Sequence, residues 1–205
     1  MIIHGSSPRR QTSQSGFTLF EVMISLVILT IGLLASLAAL AVTMTANQTS
    51  QEDMIARQLA SEAMESIFNA RNTSQLGFSA INNTTALPIP GVFLPNPMQP
   101  MCAGADGILG TADDAACLTA SGATCPNGGV ECLTEPGPDG IVGTADDVIL
   151  SLGNYTRTIT IAPLSDSNGN LIPTLVEVTI TINYTVSGHG GTKSYVLNEY
   201  ISQYH

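Results

Sequence analysis

The densest chemistry in the sequence is carried by carboxylates. The run Ala105-Asp106-Gly107-Ile108-Leu109-Gly110-Thr111-Ala112-Asp113-Asp114 recurs as Pro138-Asp139-Gly140-Ile141-Val142-Gly143-Thr144-Ala145-Asp146-Asp147, offset by 33 residues. Within nine residues the first copy holds Asp106, Asp113 and Asp114, and the second holds Asp139, Asp146 and Asp147. Such a loop could wind around Ca2+, which takes about six to eight oxygens from carboxylates, carbonyls and water. The spacing is not that of an EF-hand, and no bidentate glutamate closes the loop. Two solvated Asp-Gly turns are the plainer alternative. Because a turn needs only the Asp-Gly, two near-identical longer copies favour calcium as an optional ligand.

Other reactive groups are sparse. His189 is the one histidine between His4 and His205, and it sits in Gly188-His189-Gly190-Gly191. No glycine-rich phosphate loop, HExxH or GxSxG is present. The paired aspartates would serve acid–base chemistry only if burial raised one pKa. The expectation is a protein that is not an enzyme and requires no cofactor. Cys102, Cys117, Cys125 and Cys132 fall within one 31-residue stretch. Without a CxxC pair structural zinc is a poor fit, whereas an even count in an oxidising compartment favours disulfides. Three connectivities are open, of which we favour the local one, Cys102–Cys117 with Cys125–Cys132.

A different kind of chemistry lies at the N-terminus. Glu21 stands at the edge of a run from Val22 to Gln51, 30 residues without a charge. A lone carboxylate on such a helix costs about 2.5–3.5 kcal/mol at a bilayer centre, so it calls for a cation. Cleavage after Gly16 would create one, since the α-amino group of Phe17 would then begin the helix. Gly16 gives a protease an extended backbone to grip, and a carboxylate in the first turn suits the helix dipole. An ordinary secretory signal has an apolar run of about 7–15 residues before its cleavage site, roughly half the length seen here. Arg9-Arg10 alone makes a weak twin-arginine signal, and neither alternative accounts for Glu21.

Gly16-Phe17-Thr18-Leu19-Phe20-Glu21 and the apolar helix after it resemble the prepilin pattern of type IV pilins and type II secretion pseudopilins. The continuation through Ile31-Gly32-Leu33-Leu34 looks most like PilV-type minor pilins, and GspI-like pseudopilins share much of it. The resemblance implies cleavage between Gly16 and Phe17 by a membrane prepilin peptidase and N-methylation of Phe17. It also implies assembly with other pilin subunits, Glu21 pairing with the N-terminal amine of a neighbour.

The elements that would position these residues follow from hydrophobic period. Met54, Ile55, Leu59, Ala63, Ile67 and Phe68 recur at helical steps. No Gly or Pro lies between Gly32 and Gly77, so one helix from 17 to 72 is expected, about 80 Å long at the helical rise. The alternative, a break near Asn47–Gln51, has polar residues but no breaker to support it. Alternation predicts strands at Tyr155–Ile161, Val176–Val186 and Lys193–Ile201. The five prolines of Leu87–Pro100 predict extended loop. The expected fold is α+β, a pilin-like ladle whose long N-terminal helix packs on an antiparallel sheet of about three strands or more. The expected divisions are a cleavable leader (1–16), the helix (17–72, with 17–46 in the membrane or filament core), a loop region with the acidic repeats and cysteines (73–149), and the sheet (150–205).

Composition sets the compartment. Removing Arg9 and Arg10, the only charges before Gly16, takes the formal net charge from −10 to −12. Phosphate backbones would repel such a chain, so nucleic acid is not an expected partner. The apolar run is long enough to span a bilayer, and cations precede it, so the leader should stay cytoplasmic and the remainder be exported. The expected location is the inner membrane, then a pilus at the cell surface or a periplasmic pseudopilus. A membrane-tethered, calcium-dependent adhesion module is the competing class. If the acidic loops bind calcium, the ion raises the melting temperature of the exported part; a melt that EDTA leaves unchanged overturns that expectation.

Overall fold

A computed structural model describes residues 16–84, 90–186 and 190–204. The leader arginines Arg9 and Arg10, His189 and the first part of the proline-rich segment lie outside them. The chain divides into two compact units, Met1–Ala46 and Asn47–His205. Helix α1 (Leu19–Asn72) is 54 residues long, and Asn47–Gln51 are helical with the rest, so no linker interrupts it.

In the first unit α1 is long and apolar enough, by length and composition, to cross a membrane. Its large apolar side chains, from Leu19 to Met44, are exposed. The few hydroxyls among them do not remain open. Ser25 donates to the Glu21 carbonyl at 2.7 Å, Thr30 to Val27 at 2.8 Å, Ser36 to Gly32 at 2.9 Å and Thr43 to Ala39 at 2.9 Å. Serine and threonine within a helix commonly bond back to the preceding turn. Here that leaves the apolar surface free of unsatisfied hydroxyl groups.

In the second unit α1 buries a stripe of Ala56, Leu59, Ala60, Ala63, Met64, Ile67 and Ala70. Three- and four-residue steps place these on one face, and four alanines keep that face low enough for close packing. Met54, expected on this face, is exposed, because two residues before Ala56 is about half a turn away.

The stripe packs against a three-stranded antiparallel sheet in the order β3 (Tyr155–Ser165), β4 (Leu171–Thr185), β5 (Thr192–Ser202). Val178, Ile180, Ile182 and Tyr184 alternate inward on β4. Opposite them on β3 stand Ile161, Ile159, Arg157 and Tyr155. Both long strands exceed their expected spans. β3 tolerates Pro163 because it is an edge strand and its register shifts between Pro163 and Leu164. Polar contacts fasten helix to sheet at both ends. Tyr184 Oη donates to Asp53 at 2.6 Å, and Lys193 Nζ lies 3.0 Å from the same carboxylate. At the far end Arg71 donates to the carbonyls of Ser202 and Tyr204.

The 73–149 region, expected to be loop, also contains regular pairing. β1 (Cys132–Glu135) and β2 (Val148–Ser151) form a two-stranded antiparallel hairpin. The second acidic repeat lies between them and is the loop at its tip. Short two-stranded ribbons are marginal alone. This one is anchored near its base, where Cys125 is joined to Cys132, while Cys102 is joined to Cys117.

Candidate functional site

Two features carry chemistry, the start of α1 and the duplicated acidic loop. At the helix start Gly16 and Phe17 are exposed and outside the helix. Thr18 is the N-cap: its carbonyl accepts the Val22 N–H at 3.2 Å and its hydroxyl accepts the Glu21 N–H at 3.3 Å. Thr18-Leu19-Phe20-Glu21 thus has the spacing of a capping box, which sequence reasoning missed although T-x-x-E is legible. The cap fixes where the helix begins and sets Glu21 one turn from Phe17. Glu21 is exposed, and among the described residues no basic group lies within ion-pair distance of it.

The two acidic loops share one internal bonding scheme. In the first, Asp106 accepts the Ile108 N–H at 2.8 Å, and Asp113 accepts the Asp106 N–H at 3.1 Å. Asp114 accepts the N–H groups of Gly110 at 2.9 Å and Thr111 at 3.3 Å. In the second, Asp139 accepts from Ile141 at 2.8 Å, Asp146 from Asp139 at 3.3 Å, and Asp147 from Gly143 at 2.6 Å and Thr144 at 3.2 Å. The threonine hydroxyl meets the first aspartate of each pair at 2.6 Å, Thr111 to Asp113 and Thr144 to Asp146. These bonds hold the Asp113 and Asp146 carboxyls below the ordinary carboxylate range, the threonine hydroxyl contributing most.

The repeat extends two residues further back than its acidic core, which begins at Asp106 and Asp139. A side chain at Gly104 would collide with the Asp113 carbonyl, and one at Gly137 with that of Asp146. Gly104 and Gly137 are therefore required by close approach. The six aspartates are thus turned largely onto their own loops. Among the described residues, no three His, Cys, Asp or Glu side chains are grouped to hold a metal ion.

The copies differ in their surroundings. Asp114 lies 3.8 Å from Arg157, with only 7% and 2% of the two side chains exposed. Arg157 sits on the core face of β3 and also donates to the Met101 carbonyl at 3.3 Å. Burial pulls its pKa down, while Asp114, Glu131 and Glu62 push it back up. Burial raises Asp114, and burial together with the Glu62 charge pushes Glu131 up to about 7. The folded state therefore favours protonated Glu131, and this contribution to stability is lost as pH rises from the ordinary carboxyl range through about 7. Sequence reasoning missed Arg157, since an arginine between two threonines in an alternating strand carries no sign of burial.

The comparisons with known proteins bear on the helix start. Residues 11–37 match the family model of the prokaryotic N-terminal methylation motif. The chain carries that motif. It runs through Gly16, Phe17 and Glu21 into the apolar helix, and it supports a relation to type IV pilins and pseudopilins. No curated protein and no solved structure matches the chain.

The loops' unequal settings give a test. Asp114→Ala strands a buried arginine and should cost about 3–5 kcal/mol. Asp147→Ala removes an acceptor from backbone N–H groups in an open loop and should cost about 1 kcal/mol. Urea denaturation of the detergent-solubilised chain measures both, and equal losses would contradict the ion-pair role of Asp114.

Proposed function

We propose that this chain is a minor structural subunit of a type IV pilus, acting in assembly, initiation or modification of the filament. In this reading a membrane prepilin peptidase cuts between Gly16 and Phe17, and Phe17 is N-methylated. The chain waits in the inner membrane with its C-terminal part exported. It then joins other pilin subunits through the apolar half of α1, with Glu21 meeting a neighbour's N-terminal amine.

One observation carries the reading. A methylation motif opens directly into a helix whose first half, up to Gln51, exposes its large apolar side chains and carries one carboxylate, Glu21, one turn from the new amine. A secretion pseudopilin shares that N-terminus. The disulfide-anchored hairpin, an elaboration suited to display, favours the pilus. The role is structural rather than enzymatic, and it needs no cofactor.

Glu21→Ala is the direct test. The variant should enter the membrane and be cleaved normally, yet be about tenfold or more depleted in sheared filaments, equivalent to about 1.4 kcal/mol. Incorporation equal to that of the parent chain would count against the proposal and leave a membrane tether as the better reading.

A further inference from the structure

The duplicated loop is an internal experiment in what this loop grips. In the first copy Ile108 and Leu109 are 2% and 3% exposed and belong to the core between α1 and the sheet. Leu109 N–H donates to Ser66 Oγ at 3.3 Å, the Gln75 side chain donates to the Asp106 carbonyl, and a side chain at Gly110 would meet Ile159. The loop therefore inserts two apolar residues into a helix–strand seam, with one acceptor and one donor fixing its backbone.

The second copy keeps the same internal bonds and leaves that surface uncovered. Ile141 and Val142 are 60% and 52% exposed. Among the described residues, no side chain bonds the Val142 N–H or the Asp139 carbonyl as Ser66 and Gln75 bond their counterparts. The loop is also preorganised, by Cys125–Cys132 near the base of the hairpin and by the close contact of Gly137 with Asp146. Preorganisation lowers the ordering cost of binding.

Charge indicates what covers it. The hairpin carries Glu135, Asp139, Asp146 and Asp147, and no Lys or Arg occurs between Arg71 and Arg157. A second copy of this chain is a poor complement. Arg157 is buried, Lys193 is paired with Asp53, Arg71 is bonded to the carbonyls of Ser202 and Tyr204, and Arg57 lies over the Tyr195 ring. The one helix–strand seam shown to fit the loop is filled by the chain's own Ile108 and Leu109.

We propose that Asp139–Asp147, at the tip of the β1–β2 hairpin, is a docking site for a protein of different sequence that presents an apolar helix–strand seam flanked by lysine or arginine. Ile141 and Val142 enter the seam, and the acidic rim selects against a second copy. The site needs export of the hairpin but not filament assembly, so it stands or falls apart from the proposed function.

Site-specific photocrosslinking tests it. A benzophenone amino acid replaces Val142 in the full-length chain, expressed in its native cells, and Asn168 on the β3–β4 turn serves as the control position. The expected product joins Val142 to a different protein, with the crosslink mapped by peptide mass spectrometry to apolar residues beside lysine or arginine. Adding the exposed substitution Ile141→Asp should lower its yield about tenfold, near 1.4 kcal/mol of binding, without changing the amount of chain. A product joining two copies of this chain, a lipid adduct, no product, equal yield at Asn168, or an Ile141→Asp yield equal to the parent's would each overturn the proposal.

Discussion

The apolar half of α1 exposes valine, leucine, isoleucine, methionine and phenylalanine side chains one after another. Burying each such side chain is worth about 1.5–3 kcal/mol, so the summed preference for an apolar environment is large. The helix offers little to oppose it, because its hydroxyls are turned back onto its own carbonyls. Glu21 is the exception, and its position in the first turn confines that exception to one end. A bilayer and the packed helices of a filament satisfy the same surface, and the carboxylate distinguishes them by requiring a cation.

The second unit obeys a different constraint. Its part of the helix is narrow along the alanine stripe and lies against a sheet whose inward face is mostly isoleucine, valine and tyrosine. Arg157 breaks that pattern. The arginine is held in the core by the carboxylate of the first acidic loop, by the Met101 carbonyl, and by the longer-range charge of Glu62. Asp114 ties the first copy of the repeat to the core through that arginine, while the second copy lies at a hairpin tip. Of two nearly identical nine-residue segments, one serves as an internal clamp and the other stays an open surface.

The helix was legible because thirty charge-free positions and a later 3.6-residue period point to one element without a breaker. The three long strands were legible from their alternation, though Pro163 and Pro173 hid how far they extend. β1 and β2 were not, because four residues on each side of a turn-rich loop carry no usable period. Thr18 was visible as a capping residue but was overshadowed by the question of where Glu21 finds a cation. Arg157 and the unequal burial of Ile108 and Ile141 could not have been read locally. Each depends on what tertiary packing places beside it, and the two loops are nearly identical in sequence.

The calcium reading rests on the repetition of the acidic loop, and hydrogen bonding within the loop gives a second physical reason for its spacing. Each aspartate meets backbone N–H groups that a tight loop would otherwise leave unpaired. The account of the protein as a filament subunit does not depend on that question. Its most direct test is peptide mass spectrometry of filaments sheared from the cells that make the chain. The account predicts an N-terminal peptide beginning at N-methylated Phe17 in the filament fraction. A chain found only in membranes with its first residues still attached would contradict it.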